Sequence, residues 1–182
     1  DDRDEAEIIE NFNNQAKALD PYIDFFYFDV WSSIKEVKCG IDAIKEFKKP
    51  YLVGLHISEG TTLPSGESIK EIKDIIDENA LGVILACVSP ENFEKNLYEL
   101  KSLNIPFGFK LNGFVTTKLK ESYTSIFIGK KSNPNEILGK REDLTPTRIK
   151  EIAKEFKDAG ATIIGGCCET SPSHIEAMAK IK

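Results

Sequence analysis

No stretch of this sequence is apolar for long enough to cross a bilayer. The longest run, Ala80 to Val88, is broken only by Gly82 and falls far short of the ~20 residues that a membrane-spanning helix needs. An excess of positive charge is also missing. Lys and Arg number 24 against 30 Asp and Glu, for a net charge of -6, whereas a nucleic-acid partner asks for a basic face. The first residues, DDRDEAE, are acidic and hold no apolar segment of the signal-peptide kind. Cysteines number four, and with no secretory context to pair them they point to a reducing, cytoplasmic setting. These absences leave an ordinary globular chain: 182 residues, 41% hydrophobic, 30% charged, enough for one domain with a sizeable core.

What is present is a rhythm. Ile8, Ile9, Phe12, Ala16 and Leu19 recur at helical spacing, and IDFFYFDV (23–30) then reads as a buried strand. Ser33 and Glu36 have the spacing of a capping box ahead of an apolar stripe at Ile34, Val37, Ile41 and Ile44. YLVGLHI (51–57), LGVILACV (81–88), PFGFKLN (106–112) and ATIIGG (161–166) read as four more strands. Between and after them, Ser68 with Glu71, Ser89-Pro90, Thr145-Pro146 and Ser171-Pro172 each open a helix, because a hydroxyl caps free N–H groups and proline suits the first helical position. Strands alternating with helices predict an α/β domain over residues 1–182, a parallel sheet with crossover helices. Residues 113–144 break the rhythm; a loop that long in a compact domain is usually functional or mobile.

Three of the four cysteines fall where such folds place chemistry, at the C-terminal ends of strands. Cys87 ends one strand; Cys167 and Cys168 follow another. Adjacent cysteines seldom bond each other, since the ring they would close is strained. Three thiolates suit zinc, with a fourth position open for a ligand. Such a site is negatively charged overall and activates a thiol rather than water. Gly165 and Gly166 are expected to supply the backbone freedom that lets both neighbours turn to one metal. The alternative is plain burial, common for cysteine, and ligands 80 residues apart form no local motif. Cys39, off the apolar stripe of its helix, is expected to have no role.

GATIIGGCCETSPSHI (160–175) closely resembles the C-terminal zinc signature of the homocysteine S-methyltransferase family, and LACVSP (85–90) resembles its other zinc-ligand strand. The resemblance implies a parallel (β/α) TIM barrel of which this chain holds strands 4 to 8, from FFYFDV to TIIGG. It implies Zn2+ on Cys87, Cys167 and Cys168, and transfer of a methyl group from a small donor to the thiol of homocysteine, giving methionine. Asp29 then matches the acidic residue that meets the substrate amine, and Asn112 is what carries over from the stretch after strand seven. The chain departs from the family pattern at Val30, where a Thr is usual, at Ala86, where an Asn is common, and at LNGF (111–114). Five strands of a barrel leave two open edges, so a homo-oligomer or a partner chain is expected to cover them. A non-catalytic, zinc-binding interaction module is the alternative reading.

Among the remaining residues, His174 reads as structural. His56, Ser58 and Glu59 lie on the expected active rim, His56 as a candidate lining of the donor pocket. Trp31 is a candidate wall for a cationic methyl donor. Charged stretches such as KEFKK (45–49) read as solvated surface.

Overall fold

Hydrogen bonding between strands builds one five-stranded, all-parallel sheet, in the order β1-β2-β3-β4-β5. The computed structural model describes residues 3–117 and 138–181. The strands are β1 (Phe26–Trp31), β2 (Tyr51–Leu55), β3 (Ala80–Val88), β4 (Phe107–Leu111) and β5 (Ile163–Gly166). The helices are α1 (Glu5–Leu19), α2 (Ile34–Ile44), α3 (Pro90–Ser102), α4 (Pro146–Asp158) and α5 (Pro172–Ala179). No described helix is long and apolar enough to cross a membrane.

One face of the sheet carries the helices. Phe109 of β4 meets Phe93 of α3 and Phe156 of α4 with ring centroids 5.0 and 5.6 Å apart, contacts worth about 0.5–1.5 kcal/mol each beyond their buried area. Strand alternation sends Tyr27, Asp29 and Lys110 to the other face, where they touch one another. Side-chain oxygens of Ser89 and Thr145 accept the N–H groups of Asn92 and Arg148, with Pro90 and Pro146 at the first helical turn, as read from the sequence.

The structure departs from the sequence reading at several points. Strand β1 starts at Phe26, whose N–H donates to Pro50, because pairing with β2 begins only there. The segment after Ser68 has its capping box, but it is a 3-10 helix, Ile69–Asp74. Ile69, Ile72 and Ile75 repeat every third residue, the spacing that a 3-10 turn stacks on one side. Glu36 reaches back to the N–H of Ser32 rather than Ser33. Cys39 is buried at 1% exposure: α1 covers the side of α2 turned away from the sheet, tied to it by Asn13 on the Ala43 carbonyl. Of the long loop, residues 118–137 lie outside the described residues; its two flanks pair antiparallel, Phe114 with Lys140, and close its base.

Candidate metal centre

The three thiols converge. The Sγ of Cys87 lies 3.8 Å from that of Cys168, which lies 3.9 Å from that of Cys167, and all three fall within 4.8 Å of one another. Zinc–sulfur bonds of about 2.3 Å in a tetrahedron set sulfurs ~3.8 Å apart, so the donor set fits zinc without rearrangement of the two shorter pairs. Among the described residues no other group of three or more His, Cys, Asp or Glu has this arrangement.

The backbone aims each thiol. Cys87 sits at φ 55°, in a register break between Ala86 and Val88, a bulge that turns its side chain out of strand alternation. Gly165 and Gly166 take no left-handed conformation; the turn after the thiols is made by Glu169 at φ 60°. Gly166 is needed for space instead, whereas a side chain at Gly165 would make only ordinary contacts. A Cβ on Gly166 would lie 2.5 Å from the Thr170 hydroxyl, and one on Gly165 would rest 3.5 Å from Lys110. The Cys167 N–H donates to Leu111, and the Cys168 carbonyl accepts from Gly113, so the end of β4 and the residues just after it hold the backbone of both thiols.

Asn112 is fully buried. Its amide donates to the Cys87 carbonyl at 2.6 Å and lies 3.7 Å from the Cys87 thiol, while its Oδ1 accepts from Phe114 N–H. Asn112, singled out as a substrate contact, thus also holds Cys87 from the side of β4.

Charge is distributed unevenly over the thiols. A hydrogen bond from the Cys87 thiol, aided by Lys110, pulls Cys167 down to about 6. The same hydrogen bond and burial push Cys87 up, and burial raises Cys168.

Asp29 stands at the end of β1, but not alone. Lys110 Nζ donates to both its oxygens at 2.7 Å, and the Tyr27 hydroxyl donates to Oδ1 at 2.8 Å. Burial and the Asp29 carboxylate keep Tyr27 protonated. Lys110 and Tyr27 were not singled out by sequence; the signal was there, since Lys110 is the one charge in the strand FGFKL.

Other candidates fall elsewhere. Trp31 stacks between Phe12 and Phe28, at 4.8 and 4.4 Å, and lines a cavity of about 350 Å³ between α1 and β1 together with Ala16 and Ile44. It is therefore core on the helix side, not a wall for a donor. His56 is half-buried with Nδ1 3.4 Å from the Ala86 carbonyl, and burial lowers its pKa. Ser58 bonds Thr117 at the loop base. His174 accepts the Ser171 N–H at Nδ1 and donates from Nε2 to the Leu144 carbonyl, which fixes the start of α5.

A family model described as homocysteine S-methyltransferase matches residues 1–181. The chain belongs to the homocysteine S-methyltransferase family. Relatives in this family include Homocysteine S-methyltransferase 1 of Saccharomyces cerevisiae, 28% identical over 179 residues, covering 94% of this chain and 50% of the relative. Homocysteine S-methyltransferase 1 of Zea mays is 26% identical over 167 residues, covering 87% of this chain and 46% of its own. The chain thus spans about half the length of the curated relatives it matches. In structure it resembles the apo homocysteine methyltransferase MmuM of Escherichia coli, with a TM-score of 0.69 at 16% identity, over 96% of this chain and 58% of that one. The five-stranded sheet is accordingly part of that family's barrel-like α/β fold.

Proposed function

We propose that this chain carries the zinc-holding, thiol-accepting part of a methyltransferase that methylates homocysteine to methionine, with a small sulfonium, betaine-like or folate-type molecule as donor. The observation that carries this reading is the spacing of Cys87, Cys167 and Cys168, matched to a tetrahedral zinc. Zinc bound by these thiolates would supply the positive charge that keeps a substrate sulfur deprotonated at neutral pH.

The remaining work belongs to the protein. Asn112 holds Cys87 in its left-handed conformation and so sets the direction of that thiol. Asp29 offers a carboxylate to the substrate's α-ammonium, and Tyr27 orients the carboxylate by donating to Oδ1. Methyl transfer is then a displacement: a sulfur–carbon bond forms as the donor's bond to the methyl carbon breaks. It needs the two reacting atoms held about 3–3.5 Å apart and in line. The open edges of the sheet are assigned to contact with a second copy of the chain or with a partner chain.

The alternative, a zinc-binding interaction module without catalysis, draws on Lys110, which already neutralises Asp29. One experiment separates the two readings. Protein purified without chelator is analysed for zinc and then incubated with homocysteine and each donor class, with methionine as the product measured. About one zinc per chain, lost in the Cys87→Ser, Cys167→Ser and Cys168→Ser variants, together with methionine formation supports the methyltransferase. Zinc without methionine favours the module, and protein that binds no zinc sinks both.

A further inference from the structure

Lys110 is the one charged side chain of β4, and it sits beside the thiols rather than at the surface of the barrel wall. Its strand position pairs with Gly165, two residues before Cys167. Its ammonium lies 2.7 Å from both oxygens of Asp29 and 5.4 Å from the centre of the Tyr27 ring. The glycines around it lower the sheet surface. A Cβ on Gly54 would come within 2.9 Å of the Tyr27 ring, and one on Gly165 would meet the Lys110 stem at 3.5 Å. The Asp29 side chain is 43% exposed and that of Lys110 21%, so a solute can reach the pair.

We infer that Lys110 is a specificity-determining residue: the Asp29–Lys110 ion pair opens to receive a zwitterionic amino-acid thiol, its α-ammonium on Asp29 and its α-carboxylate on Lys110. This rests on the methyltransferase reading above. Charge bookkeeping favours the exchange. A zwitterion brings one charge of each sign, so both protein groups keep a partner when their own bond is broken. A thiol with an amine alone would leave Lys110 without its carboxylate, and a thiol acid alone would set a second anion beside Asp29; either loses a charge-assisted bond. The ammonium carries three donors, so it can take a carboxylate while staying over the Tyr27 ring. Lys110 pairs with Gly165 and the next residue, Leu111, accepts the Cys167 N–H, so the ion pair stands at the strand end from which the thiols project.

The test is equilibrium binding, not turnover. The zinc-loaded full chain is titrated with homocysteine, its deaminated analogue and its decarboxylated analogue, by calorimetry. In Lys110→Met, homocysteine and the deaminated acid are expected to bind about ten- to hundredfold more weakly, the loss of a charged hydrogen bond. The decarboxylated amine should bind no worse, and Lys110→Arg should restore most of the loss. Asp29→Asn, the reciprocal variant, should weaken the amine and not the acid. Zinc content and circular dichroism, unchanged in the variants, establish that the site is intact. Homocysteine binding as tightly or more tightly to Lys110→Met would overturn the exchange and make Lys110 a mere block on Asp29. Wild-type protein that holds zinc but binds none of the three thiols would overturn the methyltransferase reading itself, and this inference with it.

Discussion

Val30 is a β-branched residue at φ 63°, a conformation such side chains all but never adopt. It follows Asp29 directly and lies in the register break between Phe28 and Trp31, so the strain re-aims the end of β1 where the carboxylate stands. Left-handed geometry costs a non-glycine residue about 1–2 kcal/mol, against about 0.5–1 kcal/mol of chain entropy for a glycine. Val30→Gly should therefore raise the melting temperature slightly, by about 1–3 °C for a domain of this size; a clear fall in a thermal melt would mean the strain is not there. The thiols make a second claim at this scale. Cys167 is lowered from 9.0 to about 6, so between those values the folded protein holds fewer protons than the unfolded chain. Its contribution to stability is present above the unfolded pKa and is lost as pH falls through about 6. Zinc arriving at pH 7 should then displace about two protons, from Cys87 and Cys168, rather than three. Calorimetry in buffers of different ionisation enthalpy reads that number directly, and three protons would show that no thiolate is formed in advance.

Strand β4 is the element that organises the site, carrying Lys110, leading into Asn112 and hydrogen-bonding the backbone of Cys167. Its join to β5 depends on Gly108, where a Cβ would lie 1.8 Å from the Ile163 carbonyl oxygen. Gly108→Ala must push the two strands apart, at a cost of about 1–3 kcal/mol or more. Because Cys167 and Cys168 follow β5, the same substitution should lower zinc affinity, whereas a variant that loses stability but keeps full zinc affinity would uncouple the strand from the site. Helix starts were legible in the sequence because their chemistry is local: Ser89-Pro90 and Thr145-Pro146 need only their own neighbours. The start of β1 and the 3-10 turn after Ser68 were not, since a strand begins where its partner does and a turn type is chosen by what it packs against. The thiol cluster became legible through resemblance, because Cys87 and Cys167 meet only when the sheet is built. The Asp29–Lys110 pair, 81 residues apart in sequence, left a fainter trace: two lone opposite charges in two buried strands.

At the scale of the whole molecule, the sheet has two ends and neither is paired with another strand among the described residues. Around β1 the exposed apolar side chains are Leu19, Tyr22 and Phe25; near β5 Ile175 is 46% exposed. An unpaired strand edge beside apolar surface is a template for another chain. The edges are also unlike each other, one at β1 and one at β5, all strands running parallel. A copy that adds its β1 beside the β5 of its neighbour makes a head-to-tail contact, which continues until the rotation closes a ring or leaves an open assembly. Light scattering on the isolated 182-residue chain should consequently give a mass above 20.4 kDa that grows with concentration. Phe25→Lys puts a charge at one edge only, and in a head-to-tail assembly one blocked edge is enough to stop growth. The variant should run as a monomer with its zinc content unchanged, since Phe25 precedes β1 while the thiols stand in β3 and just after β5. A wild-type chain that is monomeric at every concentration would show that these edges are closed within the chain itself.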